Sequence, residues 1–338
     1  MDCYLMFIKN HKSENTMVLY LKMTDECNLS CTHCYNETKC DPVPLNDMIS
    51  FIDRWNKTYP DTFYVFHGGE PFTRDIDDLM KVSKHMETFR ITSNMTIPLS
   101  SKHIEFLKSC RVITTSFDIG IRFGTMRNLN RWIHNMKRFN ELDIPIQMTI
   151  CLTNHVLDIS PEKFVRFMAR LPVATVNFEY ITYTGKGCQI KNIVPMHADV
   201  DQWLLKLYQY MEAHNIGREQ FMVLNHYQLV ALYYRNYAQT RCLDCCKRMF
   251  TINPDGTISG CPDTAGRVLI GNIYQSMDEI QSSIKNYINS KEVALPRKEC
   301  MSCSYFTYCN GGCRSIPFDE TGCSFPKETF NYINRRLL

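Results

Sequence analysis

Chemistry is concentrated in Cys27-Asn28-Leu29-Ser30-Cys31-Thr32-His33-Cys34-Tyr35. Three thiolates at C-x3-C-x2-C spacing fit around a cubane [4Fe–4S] cluster and leave its fourth iron without a protein ligand. An open coordination position separates a reactive metal site from a structural one, so the spacing asks for a small molecule that completes the cluster. The competing use of the same residues is a tetrahedral zinc, with His33 or Cys40 as fourth ligand. A disulfide framework is the poorer reading of the 17 cysteines, because their number is odd and no secretory signal precedes them. Apart from Cys3, they fall into one group at Cys27 to Cys40, a sparse middle (Cys110, Cys151, Cys188) and a crowded group from Cys242 to Cys323.

The elements that must position these residues follow from hydrophobic period. Thr16 to Met23 is a near-continuous apolar run, the pattern of a strand buried on both faces of a parallel sheet, and the cysteine loop begins where it ends. Met48, Phe51, Ile52, Trp55 and Tyr59 then recur at helical spacing, before a second strand at Thr62 to His67. The alternation continues with a helix at Ile76 to Phe89, a strand at Arg90 to Ser93, a helix at Lys102 to Lys108 and a strand at Val112 to Phe117. Helices at Leu129 to Phe139 and Pro161 to Leu171 flank a strand at Ile146 to Leu152, and a strand at Thr175 to Ile181 closes the series. Six strands alternating with helices predict a partial (β/α)6 barrel, TIM-like, with its ligand at the C-terminal strand ends.

Those ends carry further polar signals. After the second strand stands His67-Gly68-Gly69-Glu70-Pro71, where glycines admit a close backbone approach and Glu70 can accept a hydrogen bond from an ammonium group. His67 is read as packing. Ser93 and Asn94 end the third strand, and Ser116-Phe117-Asp118-Ile119-Gly120 ends the fourth.

The cysteine triple after the first strand, GGEP after the second and the repeated β-α series together resemble the radical S-adenosylmethionine (radical SAM) enzymes. The resemblance implies that Cys27, Cys31 and Cys34 hold a [4Fe–4S] cluster whose open iron is chelated by S-adenosylmethionine (AdoMet), with Gly68, Gly69 and Glu70 against its amino group. Ser116 and Asp118 match an S-x-D-G element along the ribose and carboxylate, with Ile119 inserted before the glycine. Ser93 and Asn94 match a T-N-G element whose glycine is here Met95. Arg122 and Arg127 are both candidates for the carboxylate-gripping arginine. The relatives carry an aromatic residue before the last cluster cysteine; here it is His33, and Tyr35 is taken to share that role near the adenine.

Thr182-Tyr183-Thr184-Gly185-Lys186-Gly187 resembles the glycine-containing exit after the sixth strand of these enzymes. Helical patterns at Val200 to Asn215 and Phe221 to Tyr237 form a bridge. Asn253-Pro254-Asp255-Gly256 is then a turn between two short strands, with Cys246 and Cys261 on either side. Cys300-x2-Cys303-x5-Cys309-x3-Cys313 and Cys323 follow. C-x2-C pairs are also zinc signatures, but the whole pattern resembles the SPASM extension, a small cysteine-rich domain with a β-hairpin and two auxiliary [4Fe–4S] clusters. The resemblance implies one cluster on Cys246, Cys261, Cys313 and an upstream cysteine, either Cys242 or the less well placed Cys245. The other takes Cys300, Cys303, Cys309 and Cys323. The expected organisation is an N-terminal segment at 1–15, the barrel at 16–187, the bridge at 188–240 and the SPASM domain with a C-terminal helix at 241–338.

By this resemblance, a reduced Cys27/Cys31/Cys34 cluster cleaves AdoMet, the 5′-deoxyadenosyl radical removes a substrate hydrogen, and the auxiliary clusters accept an electron. The leading expectation is maturation of a ribosomally made precursor peptide by C–C or thioether cross-linking. A flavodoxin- or ferredoxin-type reductant and a separate leader-recognition protein are expected as partners. Formylglycine formation of the sulfatase-maturase type is the alternative, with Asp263 as candidate base, and a zinc-stabilised binding protein is the non-enzymatic one. Lys+Arg 38 against Asp+Glu 35, a net charge of +3, gives no ground for a nucleic-acid or membrane-surface partner. The apolar run Tyr4 to Ile8 is broken by Lys9 and Lys12, too short for a signal core or a span, so a cytoplasmic protein is expected.

Overall fold

The computed structural model of the chain describes residues 16–36, 40–217, 221–234, 245–264 and 268–336. They form two compact units that interleave along the sequence: the described parts of Met1–Glu26, Thr38–Arg90 and Ala231–Cys313, and those of Cys27–Glu37, Ile91–Val230 and Arg314–Leu338.

In the first unit β1 (Met17–Lys22) is buried at every position and paired on both edges. On one edge β2 (Thr62–His67) runs parallel in the register Met17↔Thr62 to Lys22↔His67. Between them α1 (Leu45–Thr58) lays Met48, Phe51, Ile52 and Trp55 on the core, and the Trp55 indole donates to Thr62 Oγ1 at 3.1 Å. Helix α2 (Ile76–Ser83) begins at an Asp75 cap. It ends six residues before Phe89, which the helical pattern included. Phe89 instead opens β3 (Phe89–Ser93) and packs edge-on against Phe66 at 5.6 Å.

The second half of the chain supplies the other edge of β1. β8 (Met249–Ile252), expected only as a hairpin arm, pairs parallel with β1 in the register Val18↔Met249 to Leu21↔Ile252. The hairpin itself is present, with β9 (Thr257–Ser259) antiparallel to β8 across a turn in which Gly256 has φ +80°, and β10 (Leu269–Asn272) antiparallel to β9. Helix α8 (Met277–Ile288) starts in a Ser276/Glu279 capping box.

The second unit carries α3 (Ser101–Ser109), β4 (Val112–Ser116), α4 (Met126–Glu141), β5 (Ile146–Leu152), α5 (Pro161–Met168), β6 (Val173–Tyr180) and α6 (His197–Ala213). The three strands are parallel, with β4 Thr114 and Ser116 opposite Gln147 and Thr149 of β5, and those two opposite Thr175 and Asn177 of β6. Residues two apart share a sheet face, so this register gathers a polar face of threonine, serine, glutamine and asparagine. The opposite face is apolar; Phe178 meets Phe164 of α5 and Trp203 of α6 there. The Phe221 to Tyr237 pattern opens not as helix but as β7 (Met222–Val223), parallel to β6, followed by α7 (Leu224–Tyr233). The C-terminal helix α9 (Lys327–Asn334) docks on α6 through buried Asp201, which accepts from Glu328 N (2.8 Å), Thr329 N (2.9 Å) and Thr329 Oγ1 (2.7 Å).

Asp201→Ala removes the partner of all three donors at once. A loss of about 1–3 kcal/mol in unfolding free energy is expected, measured by denaturant titration, with Asp201→Asn losing less.

Candidate active site and cluster-binding cysteines

The first unit builds the glycine turn against the exit of β1. Gly69 N donates to Thr24 O (2.9 Å) and Glu70 N to Glu26 O (2.8 Å). A Cβ on Gly69 would lie 2.1 Å from Glu26 O, and one on Gly68, at φ +128°, 2.5 Å from Thr24 O. The backbone that these glycines admit is therefore the chain's own, in the three residues that lead into Cys27. Glu70 is 1% exposed and its Oε1 accepts from Phe72 N at 3.1 Å, so it caps the short turn Pro71–Thr73. Lys22 closes a buried ion pair with Asp25 at 2.9 Å, and Cys40 donates to the other oxygen of Asp25 at 3.1 Å. Burial, reinforced by that carboxylate, pushes the Cys40 thiol up to about 11. Burial pushes His67, edge-on to Tyr20, down to about 3, which leaves the packing role read from the sequence.

The second unit carries the cysteine triple. Cys31 is buried, Cys34 half-buried and Cys27 exposed. N–H donors converge on Cys27 Sγ from Leu29 N (3.4 Å) and Asn94 Nδ2 (3.7 Å), an arrangement suited to a cluster thiolate. Asn94 Nδ2 also donates to Asn28 Oδ1 (2.8 Å), and Asn94 Oδ1 accepts from Thr96 N (2.9 Å). Ser93 Oγ accepts from Met95 N at 3.1 Å. Met95 takes φ 53°, a left-handed turn directly after Asn94. Gly185 passes against the loop's far end: it has φ +56°, and a Cβ there would lie 2.6 Å from Cys34 O and 2.5 Å from Tyr35 O. Tyr35 is half-buried.

Behind the triple lies a buried charged cluster. Asp118 receives Arg122 Nη2 and Nε at 2.5 Å, His33 Nε2 at 3.1 Å and Cys151 N at 2.7 Å. Burial favours the protonated acid, but the Arg122 guanidinium and then His33 outweigh it and hold the carboxyl well below the usual carboxylate range. Burial and this carboxylate push the Cys151 thiol well up. His33, Asp118 and Cys151 present ligand atoms within 4.8 Å of one another, yet the guanidinium already supplies the cation. Burial raises the Cys31 thiol while Arg122 opposes it, and Cys31 Sγ donates to Arg122 O at 3.5 Å. Of the two arginine candidates, Arg122 is in this cluster and Arg127 is exposed on α4. Ser116 is buried at the end of β4, and Gly120, two residues after Asp118, takes φ +76°. Cys151 gave no signal in the sequence beyond its place at the end of a predicted strand.

Among the crowded cysteines, the first unit gathers Cys245, Cys246, Cys261 and Cys313. A hydrogen bond with Cys246, then burial, then the sulfurs of Cys246, Cys261 and Cys313 push the Cys245 thiol well up. The neighbour that the sequence disfavoured as upstream ligand is thus in the group; Cys242 lies outside the described residues. Cys300, Cys303 and Cys309 follow on short helical turns, with Cys303 N donating to Cys300 O at 3.2 Å. Asn310, Gly311 and Gly312 then take φ 52°, 87° and 64° in succession, turning the chain towards Cys313. Asp263 is half-buried in the short turn Pro262–Thr264 after Cys261. In the second unit Cys323 follows a turn closed by Asp319, which accepts from Gly322 N (3.1 Å) and His197 N (2.6 Å).

The parallel strands with their outer helices and the hairpin-bearing cysteine-rich segment make this the fold of the radical SAM enzymes, with a SPASM-like C-terminal part. Among solved structures the chain is similar to anSMEcpe with bound AdoMet and the Cp18Cys peptide, at 17% identity and a TM-score of 0.78, over 95% of this chain and 98% of that one. It is also similar to Streptococcus suis SuiB bound to the precursor peptide SuiA, at 17% identity and a TM-score of 0.67, over 93% of this chain and 75% of that one. No protein-family model and no curated protein matches the sequence. Among the described residues no helix is long and apolar enough to cross a membrane.

Three outcomes are expected from this geometry. Gly69→Ala has to displace backbone at Glu26 and is expected to lower the unfolding midpoint sharply. Gly124→Ala, with nothing within 4 Å of its Cβ but φ +67°, costs about 1 kcal/mol. Asp118, whose folded pKa is depressed, contributes stability that is complete above its unfolded pKa of about 4 and fades as the pH falls through that value towards the folded one. Denaturation of Asp118→Asn against wild type is therefore expected to show a gap at neutral pH that narrows below about pH 4.

Proposed function

We propose that the protein is a radical SAM enzyme that modifies a peptide, joining two of its residues by an oxidative C–C or thioether cross-link. The observation that carries the reading is the cysteine triple at the exit of β1, with N–H donors on Cys27 and the glycine turn of β2 fitted to the residues before it. The fold shared with two peptide-bound structures supports a peptide as substrate.

Cys27, Cys31 and Cys34 would hold a [4Fe–4S] cluster with AdoMet on its fourth iron, and together these supply one-electron cleavage of the sulfonium and a radical able to abstract hydrogen. The chain's own contribution is placement. Asn28, Asn94 and Thr96 fix the start of the loop, Gly185 and Lys186 fix its end, and the Asp118–Arg122 pair holds His33 beside Cys34. Gly68, Gly69 and Glu70 would serve the amino group of AdoMet. Cys246, Cys261 and Cys313 with Cys245 or Cys242 would hold one auxiliary cluster, and Cys300, Cys303, Cys309 and Cys323 the other. A precursor peptide and a flavodoxin- or ferredoxin-type reductant are the partners this chemistry requires. Formylglycine formation is kept as a second reading because the match to anSMEcpe runs over 98% of that chain.

Anaerobic reconstitution is expected to give roughly twelve irons per chain and 5′-deoxyadenosine from AdoMet after reduction. Replacing Cys27, Cys31 and Cys34 together by Ala should abolish that product while leaving the auxiliary iron. Zinc without iron would sink the reading. Co-expression with small peptides encoded nearby separates the reactions: a cross-link removes a pair of hydrogens and blocks fragmentation between the joined residues, whereas formylglycine leaves an aldehyde that a hydrazide captures.

A further inference from the structure

Three polar side chains around the start of the cysteine loop close a ring of hydrogen bonds in which every direction is fixed. Thr96 N, which can only donate, reaches Asn94 Oδ1 at 2.9 Å, so the oxygen of that amide faces Thr96 and its NH2 group faces away. Thr96 Oγ1 donates to the same oxygen at 2.6 Å and accepts from Asn28 Nδ2 at 2.8 Å. Asn28 Oδ1 in turn accepts one hydrogen of Asn94 Nδ2 at 2.8 Å. The second hydrogen of that NH2 group serves Cys27 Sγ, at 3.7 Å. Asn94 and Thr96 are both buried, and the turn that joins them is held from α4, where buried Asn135 donates to Met95 O (2.9 Å) and Ile97 O (3.0 Å). Leu29 N donates to the same sulfur as part of the loop itself, whereas Asn94 is delivered from the end of β3, 67 positions along the chain.

We propose that Asn94 raises the reduction potential of the cluster held at Cys27, Cys31 and Cys34 by donating a hydrogen bond to the Cys27 sulfur. The inference rests on the function proposed above, since it takes a [4Fe–4S] cluster as the occupant of that site. An electron added to such a cluster is shared with its thiolate sulfurs, so a fixed N–H donor stabilises the more negative, reduced form more than the oxidised one. The donor thereby favours transfer from the flavodoxin- or ferredoxin-type reductant, which loses the one electron that the cluster gains. Thr96 is a positioning residue, because its backbone N–H decides which end of the Asn94 amide meets the sulfur, and Asn135 holds the turn that presents it.

The test is a reductive titration of the anaerobically reconstituted full chain, followed by electron paramagnetic resonance of the reduced clusters. Subtracting the spectra of the variant with Cys27, Cys31 and Cys34 replaced by Ala isolates the signal of interest. Asn94→Leu removes the donor, and reduction is expected to become about tenfold less favourable, a midpoint lower by about 59 mV for one electron. Asn94→Asp keeps the acceptor for Thr96 but turns a charged oxygen to the sulfur, so its midpoint should fall at least as far. Thr96→Val breaks the side-chain ring yet retains the backbone N–H that orients Asn94, so its reduction equilibrium should stay within about twofold of wild type. An Asn94→Leu or Asn94→Asp midpoint equal to or above wild type would overturn the inference while leaving the proposed function standing, as would a Thr96→Val midpoint as low as that of Asn94→Leu. Should both Asn94 variants lose the cluster, wild type carrying nitrogen-15 in its asparagine side chains decides: a hyperfine coupling to the reduced cluster that survives Asn28→Ser is expected, and its absence overturns the inference. A wild-type chain with no more iron than the triple-Ala variant would overturn the proposed function as well.

Discussion

The contact that organises the first unit's part of the site is backbone against backbone at the C-terminal ends of β1 and β2. Gly69 N and Glu70 N bond to the carbonyls of Thr24 and Glu26, and neither glycine has room for a Cβ. Parallel strands leave their terminal carbonyls and amides without ladder partners, and a buried peptide group cannot remain unpaired cheaply. Here the two strand exits satisfy each other. The same turn buries Glu70, whose side chain caps it.

A different force organises the cysteine loop's own surroundings. Asp118, Arg122 and His33 form a buried charged group, an arrangement whose desolvation cost often equals its Coulombic gain. Its use is geometric. The carboxylate accepts four hydrogen bonds from three residues, which fixes one rotamer for each donor and sets the face of His33 that looks away from it. A neutral side chain at 118 could fill the space but could not impose that orientation.

Much of this was legible in the sequence. The six strand–helix alternations are visible because a strand covered on both faces reads as a continuous apolar run and its covering helix as a period of 3.6. The turn at Asn253 to Gly256 follows from turn chemistry. Less legible were elements whose identity depends on a distant partner: Phe89 fits a helical stripe until Phe66 is placed opposite it, and Met222–Val223 becomes a strand only beside β6.

The sequence by itself determined which residue types stand together along the chain: three cysteines after an apolar run, two glycines before Glu70, an aspartate four residues before an arginine. Those follow from local period and spacing. Only the tertiary structure decided what each touches, because these contacts join residues far apart in the chain. Gly68 and Gly69 make room for Thr24 to Glu26, Cys151 delivers its amide to Asp118, β8 reaches across the chain to pair with β1, and Cys245 joins Cys246, Cys261 and Cys313. Local propensity carries no information about such pairs, since the free energy that fixes them exists only once both partners are buried together.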